Sequence, residues 1–303
     1  MDYPLITIGI PTYNRAEKFL KEAIQSALNQ TYLNLEIIVS DNCSTDDTES
    51  IVKSYSGQRL RYIRHPKNIG STNNFNYCLK EAGGIYFLLL HDDDLIDSDF
   101  IEVCVKAAKS NRDVGTIRTG MRRIDLAGNI IRQKENLVGG FALEEFFLGW
   151  FNGKTPMHLC STLFNTEKLL KIGGFKSKNN LFDDVLAHAI LVAEFDRIDI
   201  RDVKASFRAH HEQNAYSAPI QGWCEDSLEL LGIICKLTTN KRELIRKTGK
   251  TFFANHCYKH ASAIKSPIKR FYAYTLILRA FGFQVGYFKK NFKRNIKKYL
   301  NTL

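Results

Sequence analysis

Four short apolar runs, separated by amphipathic segments, constrain the fold of this chain most strongly. The runs are LITIGIP, LEIIVSD, LRYIRH and IYFLLL, at residues 5–11, 35–41, 60–65 and 85–90. Between them apolar residues recur at helical spacing, as in NRAEKFLKEAIQSALNQ, which predicts a helix with Asn14 as its N-cap. This alternation of strand and helix indicates a mainly parallel sheet flanked by helices. Because the strands are continuously apolar, as expected where helices cover both faces, the predicted class is α/β.

Polar clusters follow three of the predicted strands. They are PTYNR at 11–15, SDN at 40–42 and HDDD at 91–94. In open parallel sheets, ligands bind beyond the carboxyl ends of the strands. We therefore expect the three clusters to line one site along one edge of the sheet.

The run of three aspartates, Asp92 to Asp94, is the most unusual of these clusters. Adjacent carboxylates repel one another, so a compensating positive charge is expected nearby. Successive side chains at a strand end point to opposite faces, so at least one should face the cleft. A Mg²⁺ or Mn²⁺ ion prefers one or two carboxylates together with phosphate oxygens of a substrate. The alternative is a surface loop in which an aspartate caps the next helix.

The composition is that of a globular chain with a substantial core. The 303 residues are 44% apolar and 25% charged, enough for one large domain or two ordinary ones. The seven cysteines form no CxxC pair, which favours free thiols in the cytoplasm over a zinc site or a disulfide framework. No apolar run reaches the roughly 20 residues of a membrane span. The start, MDYPLITIGIP, lacks the basic residues of a signal peptide.

The second half of the chain predicts a hairpin and then helices. TIRTGMRRIDLAGNIIRQ alternates around a turn at 126–128, and DDVLAHAILVAEF at 183–195 predicts a helix that begins with two aspartates. After about residue 218 the pattern is helical and cationic. We predict a first domain at 1–217 and a basic, mainly helical region at 218–303.

Several motifs, in this order, resemble those of the inverting family 2 glycosyltransferases of bacterial polysaccharide biosynthesis. They are PTYNR, SDNCSTDDT, NIG followed by HDDD, and GGF followed by an acidic pair. The similarity runs from about residue 4 to about residue 217, and the order and spacing of the motifs carry it. It implies the GT-A nucleotide-diphospho-sugar transferase fold, with 1–217 as the catalytic domain.

The resemblance also implies the residues that hold a nucleotide-sugar donor. They are Pro11, Thr12, Tyr13, Asp41, Asn74 and Asp92. A tyrosine face can stack on a pyrimidine, and a carboxylate can accept from a base N–H or from ribose hydroxyls. As alternatives, Tyr13 is a packed turn aromatic and Asp41 begins an Asx-turn into the following loop.

A Mn²⁺ or Mg²⁺ cofactor is implied by the family's LDxDD pattern. Asp93 and Asp94 match its second and third acids, whereas His91 replaces the first, so we expect Asp93 and Asp94 rather than His91 to bind the metal. Asp92, at the variable position, is a candidate for the ribose or for a second metal ligand. FRAHHEQ resembles an Arg-x-His pattern in which His210 would approach the diphosphate or the metal. The alternative is that His210 is exposed in a loop.

The acidic pair Asp183-Asp184 matches the family's catalytic base, usually its second member, Asp184. A helix N-terminus favours the ionised carboxylate, which is then ready to accept a proton. The alternative is a plain helix cap.

The implied activity is metal-dependent, inverting transfer of a hexosyl or N-acetylhexosaminyl group from a nucleotide-diphosphate sugar to a hydroxyl of a glycan or lipid-linked acceptor. One alternative is a non-catalytic nucleotide-sugar-binding protein with a basic arm for membrane or nucleic acid. Another is a nucleotidyltransferase, which would not need Asp183-Asp184. We find no nucleic-acid-binding motif, so we expect no nucleic-acid partner.

The charge of the chain is concentrated in its last quarter. From Lys241 onward there are 16 basic residues and one acid, Glu243, whereas 27 basic and 31 acidic residues precede them. In YFKKNFKRNIKKYLNTL the apolar residues recur at helical spacing opposite Lys and Arg. This pattern is typical of a helix at an anionic membrane surface, so we expect a cytoplasmic protein, peripheral on the inner face of the cell membrane. The alternative is a solvated helix whose apolar stripe packs on the body.

Overall fold

The structure, a computed structural model, describes residues 4–16, 19–55, 59–111, 113–209 and 218–282. It divides into two compact units. The first comprises Met1–Lys176 and Asp183–His210, and the second Ser177–Phe182 and His211–Leu303. The short segment 177–182 therefore belongs to the second unit, although it precedes residue 217, where the sequence predicts the domain boundary.

The first unit is built on one twisted, mixed sheet. Within the described residues its strands are β1 Ile6–Thr12, β2 Leu35–Asp41, β3 Leu60–Arg64, β4 Tyr86–Leu89, β5 Leu95–Ile96, β6 Thr116–Ile124, β7 Ile130–Lys134, β8 Thr162–Asn165 and β9 Arg197–Arg208. They are ordered β3-β2-β1-β4-β8-β6-β9-β5, and β7 pairs with β6. The first four strands are parallel, as predicted. Beyond β4 the sheet is mixed, because β8 is antiparallel to both β4 and β6.

Helices flank this sheet and form most of the described part of the second unit. Those of the first unit are α1 Leu20–Leu28, α2 Thr48–Lys53, α3 Ser71–Lys80, α4 Phe100–Ala107, α5 Leu143–Phe151, α6 Thr166–Lys171 and α7 Asp183–Glu194. Those of the second are α8 Ile220–Leu237, α9 Arg242–Ser262 and α10 Pro267–Phe281. Among the helices in the described part of the chain, none is long and apolar enough to cross a membrane.

Continuous burial explains why the first strands are apolar along their whole length. Every residue of β1 and β4 is buried. The close approach of α3 to β1 requires Gly9, since a Cβ there would lie 2.8 Å from the Cys78 Cβ and from the Phe87 ring. The sheet therefore has a core on each face, and the polar strand ends are left at its edge.

The sequence-based interpretation of the elements is largely confirmed. The predicted α/β class is correct, β6 and β7 form the predicted hairpin, and Gly128 in its turn has a φ of 83°. The N-cap prediction is wrong. The described residues of α1 begin at Leu20, with Phe19 as N-cap, and Asn14 has a φ of 52° in the preceding loop.

Candidate functional site

Hydrogen bonds join the loops that follow β1 and β2. The Asn14 backbone N–H donates to Ser44 Oγ at 2.9 Å, and the Thr45 N–H donates to Asn14 Oδ1 at 2.8 Å. The Asn42 N–H donates to the Thr12 carbonyl at 2.9 Å. The first two polar clusters of the sequence thus lie together, because β1 and β2 are parallel neighbours.

Asp92 brings the third cluster to the same edge. Burial and the adjacent Asp93 raise the pKa of Asp92 to about 7, against the opposing effects of the Tyr13 N–H and the Arg15 guanidinium. β4 is the parallel neighbour of β1, and the Leu90 N–H donates to the Gly9 carbonyl at 2.9 Å, so residues 91–94 leave the sheet beside the loop after β1. The three clusters therefore meet, as the topology predicts.

Residues 91–94, here called the acidic turn, form a compact group of possible metal ligands. Ligand atoms of His91, Asp93 and Asp94 all lie within 4.8 Å of one another. Asp93 is 8% exposed and Asp94 is 1% exposed. Burial and then Asp93 raise the pKa of Asp94 well above its usual range, whereas burial lowers the pKa of His91. Carboxylate oxygens are the ligands that Mg²⁺ and Mn²⁺ prefer, and a neutral imidazole can add a nitrogen ligand, so these residues fit a divalent cation.

His91 was not among the metal ligands predicted from the sequence. It stands where the family pattern has an acid, and because of that difference the sequence did not predict it as a ligand. In the structure its Nδ1 is 3.9 Å from Asp94 Oδ2, and its ring packs on Phe75. Its position two residues after β4, directly before the aspartates, was the available signal.

Arg208, at the end of β9, holds the acidic turn in place. Its side chain is 1% exposed. Its backbone N–H donates to Asp94 Oδ1 at 2.9 Å, and its Nε donates to the Asp93 carbonyl at 3.0 Å. Its Nη2 donates to Glu22 Oε2 at 2.6 Å, and the guanidinium lies over the Phe19 ring. The acidic turn is thereby tied to β9 and α1 through one buried side chain.

Asp41 is fully buried and already bonded on both oxygens. Oδ1 accepts from the Ser44 N–H at 2.8 Å, and Oδ2 accepts from the Tyr62 hydroxyl at 2.6 Å. The Arg64 Nε lies 3.7 Å from Oδ2. The Ser44 contact is the turn that was considered as the alternative for this residue. A nucleotide sugar that reached Asp41 would share the carboxylate with these groups.

The other residues predicted to bind the nucleotide sugar differ in their surroundings. Pro11 and Thr12 are buried in β1, whereas Tyr13 is 44% exposed at the strand end. Asn74 is buried, its Oδ1 accepts from Ser40 Oγ at 2.6 Å, and its Nδ2 donates to the Ser40 carbonyl at 2.9 Å. For Asn74 this geometry favours the role of fixing α3 against β2 over contact with a nucleotide.

Asp183 and Asp184 begin α7. Asp183 is buried and accepts a hydrogen bond from the Thr72 hydroxyl of α3, a partner that the sequence did not reveal. Burial raises the pKa of Asp184 to about 6, against the Val185 N–H, and Asp183 adds to the increase. The predicted ligand His210 lies outside the described residues.

Comparison with known sequences agrees with these observations. Residues 7–170 match the model of the family described as Glycosyl transferase family 2. The chondroitin synthase of Escherichia coli is 34% identical over 135 residues, which are 44% of this chain and 19% of that protein. The chain spans less than half the length of the first curated relatives that it matches.

Solved structures show the same fold. A fragment of S. aureus TarS in complex with UDP-GlcNAc superposes with a TM-score of 0.61 at 14% identity, covering 91% of this chain and 89% of that one. A second structure is that of the mannosyltransferase PcManGT from Pyrobaculum calidifontis in complex with GDP-Man and Mn²⁺. It superposes with a TM-score of 0.60 at 18% identity, covering 92% of this chain and 86% of that one. The family model covers more than half of the chain. The chain therefore belongs to glycosyl transferase family 2 and has the GT-A fold.

Proposed function

We propose that this protein transfers a sugar from a nucleotide-diphosphate sugar to a hydroxyl group of a glycan or lipid-linked acceptor. The observation that carries the proposal is the meeting of the acidic turn with the loop after β1, at the sheet edge where such folds bind nucleotides. The relatives support it: one is a chondroitin synthase, and the related structures contain UDP-GlcNAc or GDP-Man.

The donor would bind along this edge. The exposed face of Tyr13 is suited to stacking on the nucleobase. Asp41 would share its carboxylate with a base N–H, and Asp92 would accept from a ribose hydroxyl. Pro11 and Thr12 would support Tyr13 from within β1.

The acidic turn is assigned to a metal-bound diphosphate. His91, Asp93 and Asp94 would hold Mn²⁺ or Mg²⁺, and Arg208 would keep the last two aspartates in position. When bound, the cation would neutralise negative charge on the leaving diphosphate. PcManGT, whose structure contains Mn²⁺, supports this assignment.

Asp184 would act as the general base. It would take the proton of the acceptor hydroxyl while that oxygen forms a bond to C1 of the sugar. The bond between C1 and the diphosphate breaks in the same step, and attack from the opposite face inverts the anomeric centre. The Thr72 hydroxyl already engages Asp183, which favours Asp184 for this role.

We further propose that the second unit brings the enzyme to an anionic membrane surface on the cytoplasmic side. Ile268, Phe271 and Tyr272 share one face of α10, and they are 83%, 71% and 62% exposed. The opposite face, which includes Ala273 and Ile277, is buried. Since no acidic residue follows Glu243 in the sequence, this exposed apolar face lies in a strongly basic region that suits anionic lipid.

The test begins with a panel of nucleotide sugars, screened by thermal shift with Mn²⁺ and Mg²⁺. Transfer of radiolabelled sugar from the donor that binds is then measured for the wild type, Asp184→Asn and Glu194→Gln. We expect Asp184→Asn to abolish transfer and keep donor affinity, because it removes only the base. Glu194, exposed at the other end of α7, should be replaceable without loss. Donor binding without transfer or hydrolysis would instead indicate the non-catalytic alternative.

A further inference from the structure

The segment directly before the acidic pair is held by the C-terminal helices. Residues 177–182 belong to the second unit, and the next residue along the chain is Asp183, the first of α7. The family match ends at residue 170, so neither this segment nor its support lies within it. Leu181 and Phe182 are therefore the last residues of the second unit before α7 begins.

Asp226 of α8 binds this segment through a buried carboxylate. It is 2% exposed. Its Oδ1 accepts from the Asn179 N–H at 2.9 Å and from Asn179 Nδ2 at 2.7 Å. Its Oδ2 accepts from Ser177 Oγ at 2.9 Å and from the Leu181 N–H at 3.2 Å. One buried charge is thus matched by donors from three residues of the segment.

Two further contacts extend the support to the residue before Asp183. Ser177 Oγ, itself bonded to Asp226, accepts from the Phe182 N–H at 3.2 Å. The Phe182 ring packs edge-to-face on Trp223 and Phe253, with centroid distances of 5.3 Å and 5.7 Å. Both the backbone and the side chain of Phe182 are therefore fixed by α8 and α9.

The strength of the hydrogen bonds that hold the segment depends on the charge of Asp226. A buried carboxylate that accepts several N–H and O–H groups makes charge-assisted hydrogen bonds, which are stronger than neutral ones. Removing the carboxylate takes the acceptor from both donor groups of Asn179, and it leaves the Leu181 N–H with only Ser177 Oγ, at 3.1 Å. The segment would then change its conformation, and the start of α7 would move with it.

We propose that Asp226 is a positioning residue for the base Asp184, acting through the backbone of 177–182. The proposal rests on the proposed function, in which Asp184 takes the acceptor's proton. It assigns the C-terminal helices a part in catalysis that is separate from any membrane contact. The donor-binding edge, formed by the loops after β1, β2 and β4, does not depend on it.

The test compares Asp226→Ala and Asp226→Asn with Glu229→Gln, an exposed acid on the same helix. We expect kcat of Asp226→Ala to fall by about 100-fold, as for a misplaced catalytic group, with donor Kd unchanged. Asp226→Asn keeps one acceptor oxygen, so its kcat should lie between those of Asp226→Ala and the wild type. The pH midpoint of kcat should shift in both Asp226 variants. Glu229→Gln should match the wild type.

Hydrogen exchange of peptides covering 177–187 gives a readout that needs no activity. Faster exchange in Asp226→Ala than in Glu229→Gln supports the proposal, and equal exchange overturns it. A normal kcat, or equal losses of kcat and donor affinity, also overturns it. If Asp226→Ala does not fold, Asp226→Asn is judged by the same criteria. If the wild-type protein transfers no sugar, the proposed function is contradicted. Hydrogen exchange alone then decides whether Asp226 orders the start of α7.

Discussion

Asp184 combines a half-buried side chain with a position at a helix N-terminus. Burial disfavours the ionised carboxylate, and the neighbouring Asp183 adds to this effect. The result is a pKa of about 6. A group with such a pKa is ionised at neutral pH and is more basic than an ordinary aspartate, which suits a general base.

The raised pKa of Asp184 predicts the pH dependence of transfer. Only the ionised form can accept the acceptor's proton, so kcat should rise with pH through about 6 and level off above it. The measurement is kcat between pH 5 and 8 with donor and Mn²⁺ saturating at every pH. A kcat that is constant over this range, or that falls as the pH rises, would contradict the role of Asp184.

Single residues were the least predictable part of the site. The sequence identified the aspartates of the acidic turn, because carboxylates directly after a buried strand are unusual. It did not identify Arg208 as their support, since that role depends on how β9 pairs beside β5 and β6. His91 was not predicted as a ligand because it stands where the family pattern has an acid. For Asn74, the hydrogen bonds to Ser40 arise only once α3 packs on β2.

Strands and helices were predictable where burial is continuous. The bounds of β1 to β4 agree with the apolar runs to within one residue. The reason is clearest for β1 and β4, in which every residue is buried, whereas β3 is only partly covered. The insertion of β8 between β4 and β6 was not predictable. A short apolar segment such as TLFN carries no signal for the strand that it will pair with.

The packing of α3 on β1 predicts the effect of replacing Gly9. A methyl group there would overlap Cys78 and Phe87, so Gly9→Ala should lower the free energy of unfolding by about 1–3 kcal/mol. The matched control is Gly232→Ala in α8, where an added Cβ meets no atom within 4 Å. That change should raise the free energy by about 0.5–1 kcal/mol through helix propensity. Urea denaturation measures both, and equal effects of the two substitutions would show that α3 does not pack tightly at Gly9.

For the whole molecule, the uneven charge predicts how it binds membranes. Each Lys or Arg near an anionic surface contributes about 1 kcal/mol, so the basic region should bind vesicles containing anionic lipid. We expect the protein to co-sediment with these vesicles, and we expect this binding to weaken with added salt and in the double variant Ile268→Ser/Phe271→Ser. Leu228→Ser, at an exposed position on α8, is the control. Equal binding to neutral and anionic vesicles would contradict the prediction.

The acidic turn is the feature on which the proposed chemistry depends, and metal-dependent donor binding tests it most directly. Calorimetry would titrate the nucleotide sugar selected by screening into the wild type, Asp93→Asn and Asp202→Asn, each with Mn²⁺ and with a chelator. We expect Mn²⁺ to tighten donor binding at least about 10-fold, or 1.4 kcal/mol, in the wild type and in Asp202→Asn, whose substituted residue is exposed on β9. Asp93→Asn should lose this increase. Equal donor affinity in all three proteins, with or without Mn²⁺, would contradict the assignment of the acidic turn to a metal-bound diphosphate.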